Sequence, residues 1–232
     1  MDLVYTGLIK AIRLIMARDP EILEITFLTL RVSGLATLIS LAIGIPLGLY
    51  LAVAQFRFRK VVVGAVNTGM GLPPTVAGLW VSILLWRNGP LGSLGLMYTP
   101  TAMVIAQAVI ASPIVTGFTM ASVQQLNPKL RLQIMALGAS PVQFWWLIIK
   151  ECRFGLLAAV MAGLGSVISE VGASMAVGGN VRHYTRVLTT AIVMEISKGN
   201  FDVAIALSFI LMALSYGITF ILTVVQQSRR RL

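Results

Sequence analysis

The sequence predicts an all-α integral membrane protein: five transmembrane helices, an N-terminal amphipathic helix, and a short cytoplasmic helix between the third and fourth spans. Three observations lead there. Hydrophobic residues fill 57% of 232 positions and charged residues only 11%, at a mean hydropathy of +0.90, whereas soluble domains carry about 25% charged residues. Uncharged apolar runs of membrane-spanning length recur along the chain, and hydrocarbon admits only segments whose backbone groups are bonded internally. Basic residues gather in the connections between those runs, as they do in loops held on the cytoplasmic side.

Residues 1–20 read as an amphipathic interfacial helix. Val4, Leu8, Ile12 and Ile15 recur on one face, with Asp2, Thr6, Lys10 and Arg13 on another. A signal peptide would begin basic and continue unbroken, whereas Asp2 comes early and Lys10 and Arg13 interrupt the apolar core. The segment is expected to be retained. The spans are placed at about 30–54, 61–86, 101–123, 154–177 and 203–225. The second contains Pro73 and Pro74 after Gly71, and the fourth is interrupted by Glu170. The run before the third, "NGPLGSLGLMYTP", is turn chemistry, and the "NP" after it is a stop. Residues 226–232 form a basic tail containing Arg229, Arg230 and Arg231.

Ten of the 18 basic residues then fall on one side and eight on the other. Setting aside Lys10, Arg13 and Arg18 of the amphipathic helix, the balance places the C-terminus in the cytoplasm and the N-terminus outside. The net charge of +10 is carried mostly by cytoplasmic loops and tail. It suits anionic lipid or a partner protein, not nucleic acid. Cys152, the single cysteine, has no intramolecular partner and reads as a small buried apolar residue.

Between the third and fourth spans, "LQIMALGASPVQFWWLIIKECR" (132–153) encodes two capped helices. Asn127 caps the first and Pro128 opens it; it runs to about Leu137 and stops at Gly138. Ser140, Pro141 and Gln143 form a capping box for the second, which carries Trp145 and Trp146 toward the next span. On these residues alone, the segment is a docking surface or a loop stiffened by two caps.

The stretch "ALGASPVQFWWLIIKECRFGLLAAVMAGLGSVISEVGASMAVGGN" (136–180) resembles the signature loop and following span of the membrane subunits of ATP-binding-cassette importers, in their molybdate, tungstate and sulfate branch. Gly138–Ser140, "SEVGAS" at 169–174 and "GGN" at 178–180 carry the likeness. "GLPPTVAGL" at 71–79 and "LRVSGLATLISLAIGIPLG" at 30–48 extend it, so that it covers about 27–225. "NVRHYTRVLTTAIVMEISKGNF" (180–201) looks most like the tungstate permeases. One feature departs: where the family loop opens with Glu-Ala-Ala, this chain has Leu132, Gln133 and Ile134, which puts any salt bridge of that acid in doubt.

The resemblance implies the type I importer fold, a homodimer of this subunit, a cytoplasmic ATPase dimer and an external oxyanion-binding protein. It assigns coupling to the ATPase to Leu130, Leu132, Gln133, Ala136, Leu137, Gly138, Ala139 and Ser140. No G-x-x-x-x-G-K-[ST] phosphate loop occurs in the sequence. No cofactor is therefore expected on this chain, and Mg-ATP belongs to the partner.

Other residues keep two readings. Pro73 and Pro74 line the pathway or form a packed kink. Glu170, with Gly172 and Ser174 beside it, organises a gate or an interhelical contact; a bare carboxylate would repel a dianion. Arg182 and Arg186, in an external loop with His183, attract an oxyanion or receive the binding protein. Arg31 offers positive potential or snorkels at the boundary. Gly44 and Gly48 permit close helix approach. A hydrolase built on Ser166 or Ser169 with His183 is the rival class, weakened because no motif surrounds either serine; a channel or scaffold would not need the capped segment.

Overall fold

A computed structural model describes residues 2–228. Its longest helix, α2 (Pro20–Val53), starts where Asp19 Oδ1 accepts the amides of Glu21 and Ile22 at 3.0 and 3.1 Å, with Pro20 in the first turn. Its 34 residues at about 1.5 Å each exceed the roughly 30 Å hydrocarbon layer. The first turns therefore stand beyond the hydrocarbon layer, at a membrane interface. The sequence reading began this span at residue 30; the Asp19–Pro20 cap is the signal that moves it back.

α2 runs alongside α5 (Pro100–Gln124), whose start is capped by Thr99. Ser40 donates to the Ala108 carbonyl at 3.3 Å. Further along, Gly44 lies against Val115 and Gly48 against Thr116 and Thr119. Residue numbers rise together, so the two helices are parallel. The chain between them must cross back.

That return is made by α3 (Arg59–Met70) and α4 (Pro74–Leu85), bent by 106° at the break. Pro73 and Pro74 donate no amide and cannot continue the ladder. Below the break, Gly69 meets Pro113 and Met70 meets Gly117, near the middle of α5. After α5 come α6 (Pro128–Ala136) and α7 (Pro141–Glu151), then α8 (Arg153–Ile168) and α9 (Gly172–Gly178), a second broken pair bent by 57°. α8 runs antiparallel to α5, with Gly155 beside Ser122 and Gly163 beside Val115. The two breaks meet: Thr75 touches Gly172, and Gly78 lies against Ala173.

The chain finishes with α10 (Leu188–Ser197), which the sequence reading did not separate from the preceding loop, and α11 (Phe201–Ser228). Gln226 donates to the Phe154 carbonyl at 3.2 Å, bringing the end of α11 to the α6 end of the bundle. Among the described residues three helices are long and apolar enough to cross a membrane, and the crossings number five when each bent pair is taken as one span.

The N-terminal helix α1 (Asp2–Met16) packs on the first turns of α11 through Gly7 and Ala11, with Lys10 paired to Asp202. Its apolar stripe of Val4, Leu8, Ile12 and Ile15 is exposed and turned from the protein, as a lipid-facing stripe would be. The side chain of Asp2 and the tail residues Arg229, Arg230 and Arg231 lie outside the described residues.

The α2–α5 seam leaves no room for a side chain at Gly48, where an added Cβ would stand 2.7 Å from both the Thr116 carbonyl oxygen and Thr119 Cβ. Gly48→Val should cost about 1–3 kcal/mol of overpacking and lower the thermal midpoint in detergent. Gly34→Ala, with nothing within 4 Å, should leave the midpoint where it is.

Candidate functional site

At one end of the bundle the α6–α7 elbow is built as its sequence dictates. Asn127 Oδ1 accepts the Lys129 amide at 2.9 Å and starts α6. Gly138 takes a left-handed φ of 73° and closes it, with the Ala139 amide donating back to Ile134. The Ser140 amide donates to Gln143 Oε1 at 2.8 Å and the Gln143 amide to Ser140 Oγ at 3.3 Å, completing the capping box of α7.

The elbow has an anchored side and a free side. Ile134 is buried among Leu51, Met120, Val123 and Ile148, and Leu130 and Ala139 lean on the same cluster. On the free side Leu132, Met135 and Leu137 are 68%, 67% and 86% exposed, beside the exposed Val142. Gln133, Ala136, Gly138 and Ser140 share that exposure. The residues assigned to coupling therefore divide: Leu130 and Ala139 hold the lever, and the rest face outward. Met135 and Val142 were missed because helices as short as α6 and α7, of nine and 11 residues, give little cue in sequence to which side is buried. Contiguous exposed apolar side chains outside a span mark a surface meant to be covered.

α7 carries the boundary chemistry. Lys150 lies 5.0 Å over the Trp146 ring and Arg153 4.9 Å over Phe154. Cys152, between α7 and α8, is buried; burial pushes its thiol above the usual range, and the Glu151 charge adds to this.

The break regions are held by polar bonds. Glu170 is buried, and its Oε1 accepts the Ala173 amide at 2.7 Å, so the carboxylate caps α9. The Glu170 carbonyl accepts from Thr189 Oγ1 at 3.0 Å. Ser174 accepts from Gln107 Nε2 at 3.0 Å, whereas Gln107 Oε1 has no partner among the described residues. Pro73 and Pro74 are exposed at the first break. α2, α3 and α5 leave an apolar groove of about 560 Å³ lined by Ile39, Ile43, Val62 and Val109, with Ser112 and Thr116 as its hydroxyls.

At the opposite end, Arg182 donates from Nε to Glu21 at 3.0 Å and from Nη2 to its second oxygen, and Arg186 reaches Glu21 at 3.3 Å. His183 meets Glu24 at 2.7 Å. Their charge is spent on α2, so the loop is a clasp before it is an anion collector. The hydrolase reading finds no arrangement: Ser166 and Ser169 donate to the Gly163 and Gly165 carbonyls, and His183 is engaged with Glu24.

Because only the thiolate reacts, the burial and raised pKa of Cys152 predict slow maleimide labelling of the folded protein near neutral pH, faster as pH rises, and rapid labelling in denaturant. A gel-shift time course measures this. Ser140→Ala should cost about 1 kcal/mol through the lost cap, read as a lower midpoint in detergent.

Residues 44–231 match the family described as binding-protein-dependent transport system inner membrane components. The tungstate uptake system permease protein TupB of Peptoclostridium acidaminophilum is 37% identical over 98% of this chain and all of its own length. A probable anion ABC transporter permease protein of Haloferax volcanii is 39% identical, covering 85% of this chain and 87% of that protein. Among solved structures, an inward-facing crystal form of the MetNI methionine ABC transporter superposes with a TM-score of 0.77 at 21% identity, over 90% of this chain and 98% of that one. The likeness to MetNI is one of fold. Five crossings in which broken spans lean on a central helix, a capped elbow at one end, and a family match over most of the length lead to one conclusion: the chain belongs to the binding-protein-dependent transport system inner membrane components, multi-pass permease subunits of ABC importers.

Proposed function

We propose that this subunit moves tungstate, a tetrahedral dianion, into the cytoplasm by alternating access, as one half of a homodimer driven by an ATPase dimer and supplied by an external oxyanion-binding protein. The substrate follows from the near full-length likeness to a tungstate uptake permease; molybdate and sulfate are the neighbouring alternatives, alike in shape and charge. The observation that carries the mechanism is the elbow, with its exposed Leu132, Met135 and Leu137 standing on the anchored Ile134.

In this reading the α6 end faces the cytoplasm and the Arg182–Glu21 clasp faces outside. Mg-ATP is bound and hydrolysed on the partner chain, and this chain supplies the lever. Moving a two-state equilibrium from 1:99 to 99:1 takes about 5.5 kcal/mol of differential contact. An exposed ion pair contributes about 0–1 kcal/mol, whereas burying one Leu or Met side chain contributes about 1.5–3 kcal/mol. Three or four apolar anchors therefore suffice where surface charge would not. Because Ile134 and Ile148 are packed together with Met120 and Val123, a pull on α6 is passed to the ends of α5 and α7 as a rigid-body movement, not lost in a flexing loop.

Inside the membrane, the meeting of the two breaks at Thr75 and Gly172 is where discontinuous helices allow a route, since irregular backbone is tolerated where it is covered or lines a cavity. Glu170 caps α9 and holds this junction in shape. Pro73, Pro74, Gly172 and Ser174 belong to it as parts of the gate. Arg182 and Arg186 hold the external loop that meets the binding protein.

Proteoliposomes carrying the permease with its ATPase and binding protein should accumulate tungstate only with ATP, and unlabelled tungstate should compete better than molybdate. Gly138→Val, which forces a β-branched residue into a left-handed position, and Ala139→Glu, which drives a charge toward the Ile134 cluster, should each bring uptake to background and uncouple hydrolysis from substrate. The exposed Gln124→Ala should stay near wild type. Normal transport by both elbow variants would remove the lever from this position.

A further inference from the structure

We propose that the ATPase cleft receiving α6 is apolar at its floor and rimmed with carboxylates, so that this chain brings the positive charge and the partner the negative. The proposal rests on the docking assigned above and concerns the chemistry of the partner's surface.

Residues 25–150 contain no aspartate or glutamate. Every element that reaches the α6 end before Glu151 is therefore basic or neutral. Among the cations there, Arg59 Nε donates to the Leu51 carbonyl at 3.0 Å, and Arg131 reaches back toward the Val123 carbonyl at 3.5 Å. Both are turned inward. Arg57 and Lys60 are exposed on the neighbouring connection, and Lys129 is exposed beside the apolar anchors.

Lys129 occupies an unusual place. It is the second residue of α6, whose first turn has no acidic residue. The amino end of a helix carries partial positive charge and favours anions, so a lysine there is disfavoured by the helix that bears it. A partner carboxylate set against this turn relieves both charges at once, pairing with the ammonium group and with the end of the helix. Lys129 figures in no ion pair among the described residues.

Lipid headgroups would also accept cations, and Arg57, 5.8 Å over the exposed Phe58 ring, has the chemistry of a membrane boundary, but Lys129 does not. Lys150 over Trp146 and Arg153 over Phe154 combine aromatic ring and cation where α7 passes into α8. Lys129 instead shares its helix with Leu132 and Met135, 68% and 67% exposed. An apolar anchor set with a charge at its edge is the arrangement of a protein interface.

The test is the affinity of the nanodisc-embedded permease for its own ATPase, measured across a range of NaCl concentrations. Leu132→Glu sets an acid among the anchors and should weaken the complex by tenfold or more against an acidic rim. A tighter complex would show a basic rim and overturn the proposal. Lys129→Glu should slow association several-fold and flatten its salt dependence, with Lys129→Gln intermediate. Unchanged association by Lys129→Glu, or lost binding only to vesicles of anionic phospholipid, would overturn it too. Both side chains are exposed, so the thermal midpoint of Leu132→Glu should match wild type and that of Lys129→Glu should equal or slightly exceed it, since an acid suits the first turn of a helix. Leu137→Asp tests the reading beneath: retained docking in that variant would move the ATPase site off α6, whereas lost docking with Lys129→Glu unaffected would keep the site and reject the acidic rim.

Discussion

The close approach of α2 and α5 is the constraint on which the rest of the molecule depends. Between membrane helices, lipid is as apolar as leucine, and association comes from van der Waals fit and interhelical hydrogen bonds. Gly44 and Gly48 bring the backbones together, and the Ser40 hydroxyl bonds across to Ala108. Once that seam is set, α5 becomes the central pillar. The first broken span leans on it at Pro113 and Gly117, the second at Val115 and Ser122, and the elbow is rooted beside it through Val123. Both bent spans and the elbow thus converge on one helix, so their relative positions are fixed by the α2–α5 seam.

Much of this architecture is legible in the sequence, for identifiable reasons. Local chemistry reads well: Asn127–Pro128, Gly138 and the Ser140–Gln143 box each determine a backbone state by themselves, and the elbow appears as written. Pro73 and Pro74 likewise announce a break. What local chemistry does not encode is reach and direction. Glu170 looked like an interruption within a continuous span; it marks a second break because its carboxylate caps a new helix. Arg182 and Arg186 looked like free cations because their partner Glu21 lies some 160 positions away.

The elbow shows the same division. Its caps follow from the residues, but which of its apolar side chains are roots and which are handles is decided by the three-dimensional neighbourhood. Ile134 is inserted below while Leu132 and Met135, two positions before it and one after, stand free. A helix of nine residues has too few turns for periodicity to reveal its buried face, so only the surrounding bundle separates them. The same bundle leaves Gln107 Oε1 without a partner among the described residues, beside Ser174. An unmet buried acceptor costs about 1–3 kcal/mol.

The clasp between Glu21 and the two arginines has a consequence for biogenesis. Its halves are separated by about 160 residues of chain, so during synthesis the start of α2 waits at the membrane surface until four crossings have been laid down. Until then Glu21 is a carboxylate without its counter-ions, and a nascent chain halted before Arg182 displays it openly. The clasp therefore closes only after Arg186 has been made and its loop has folded back on the start of α2. A product truncated before Arg182 leaves this end of α2 unfastened, whereas one that extends past Arg186 carries both halves of the clasp.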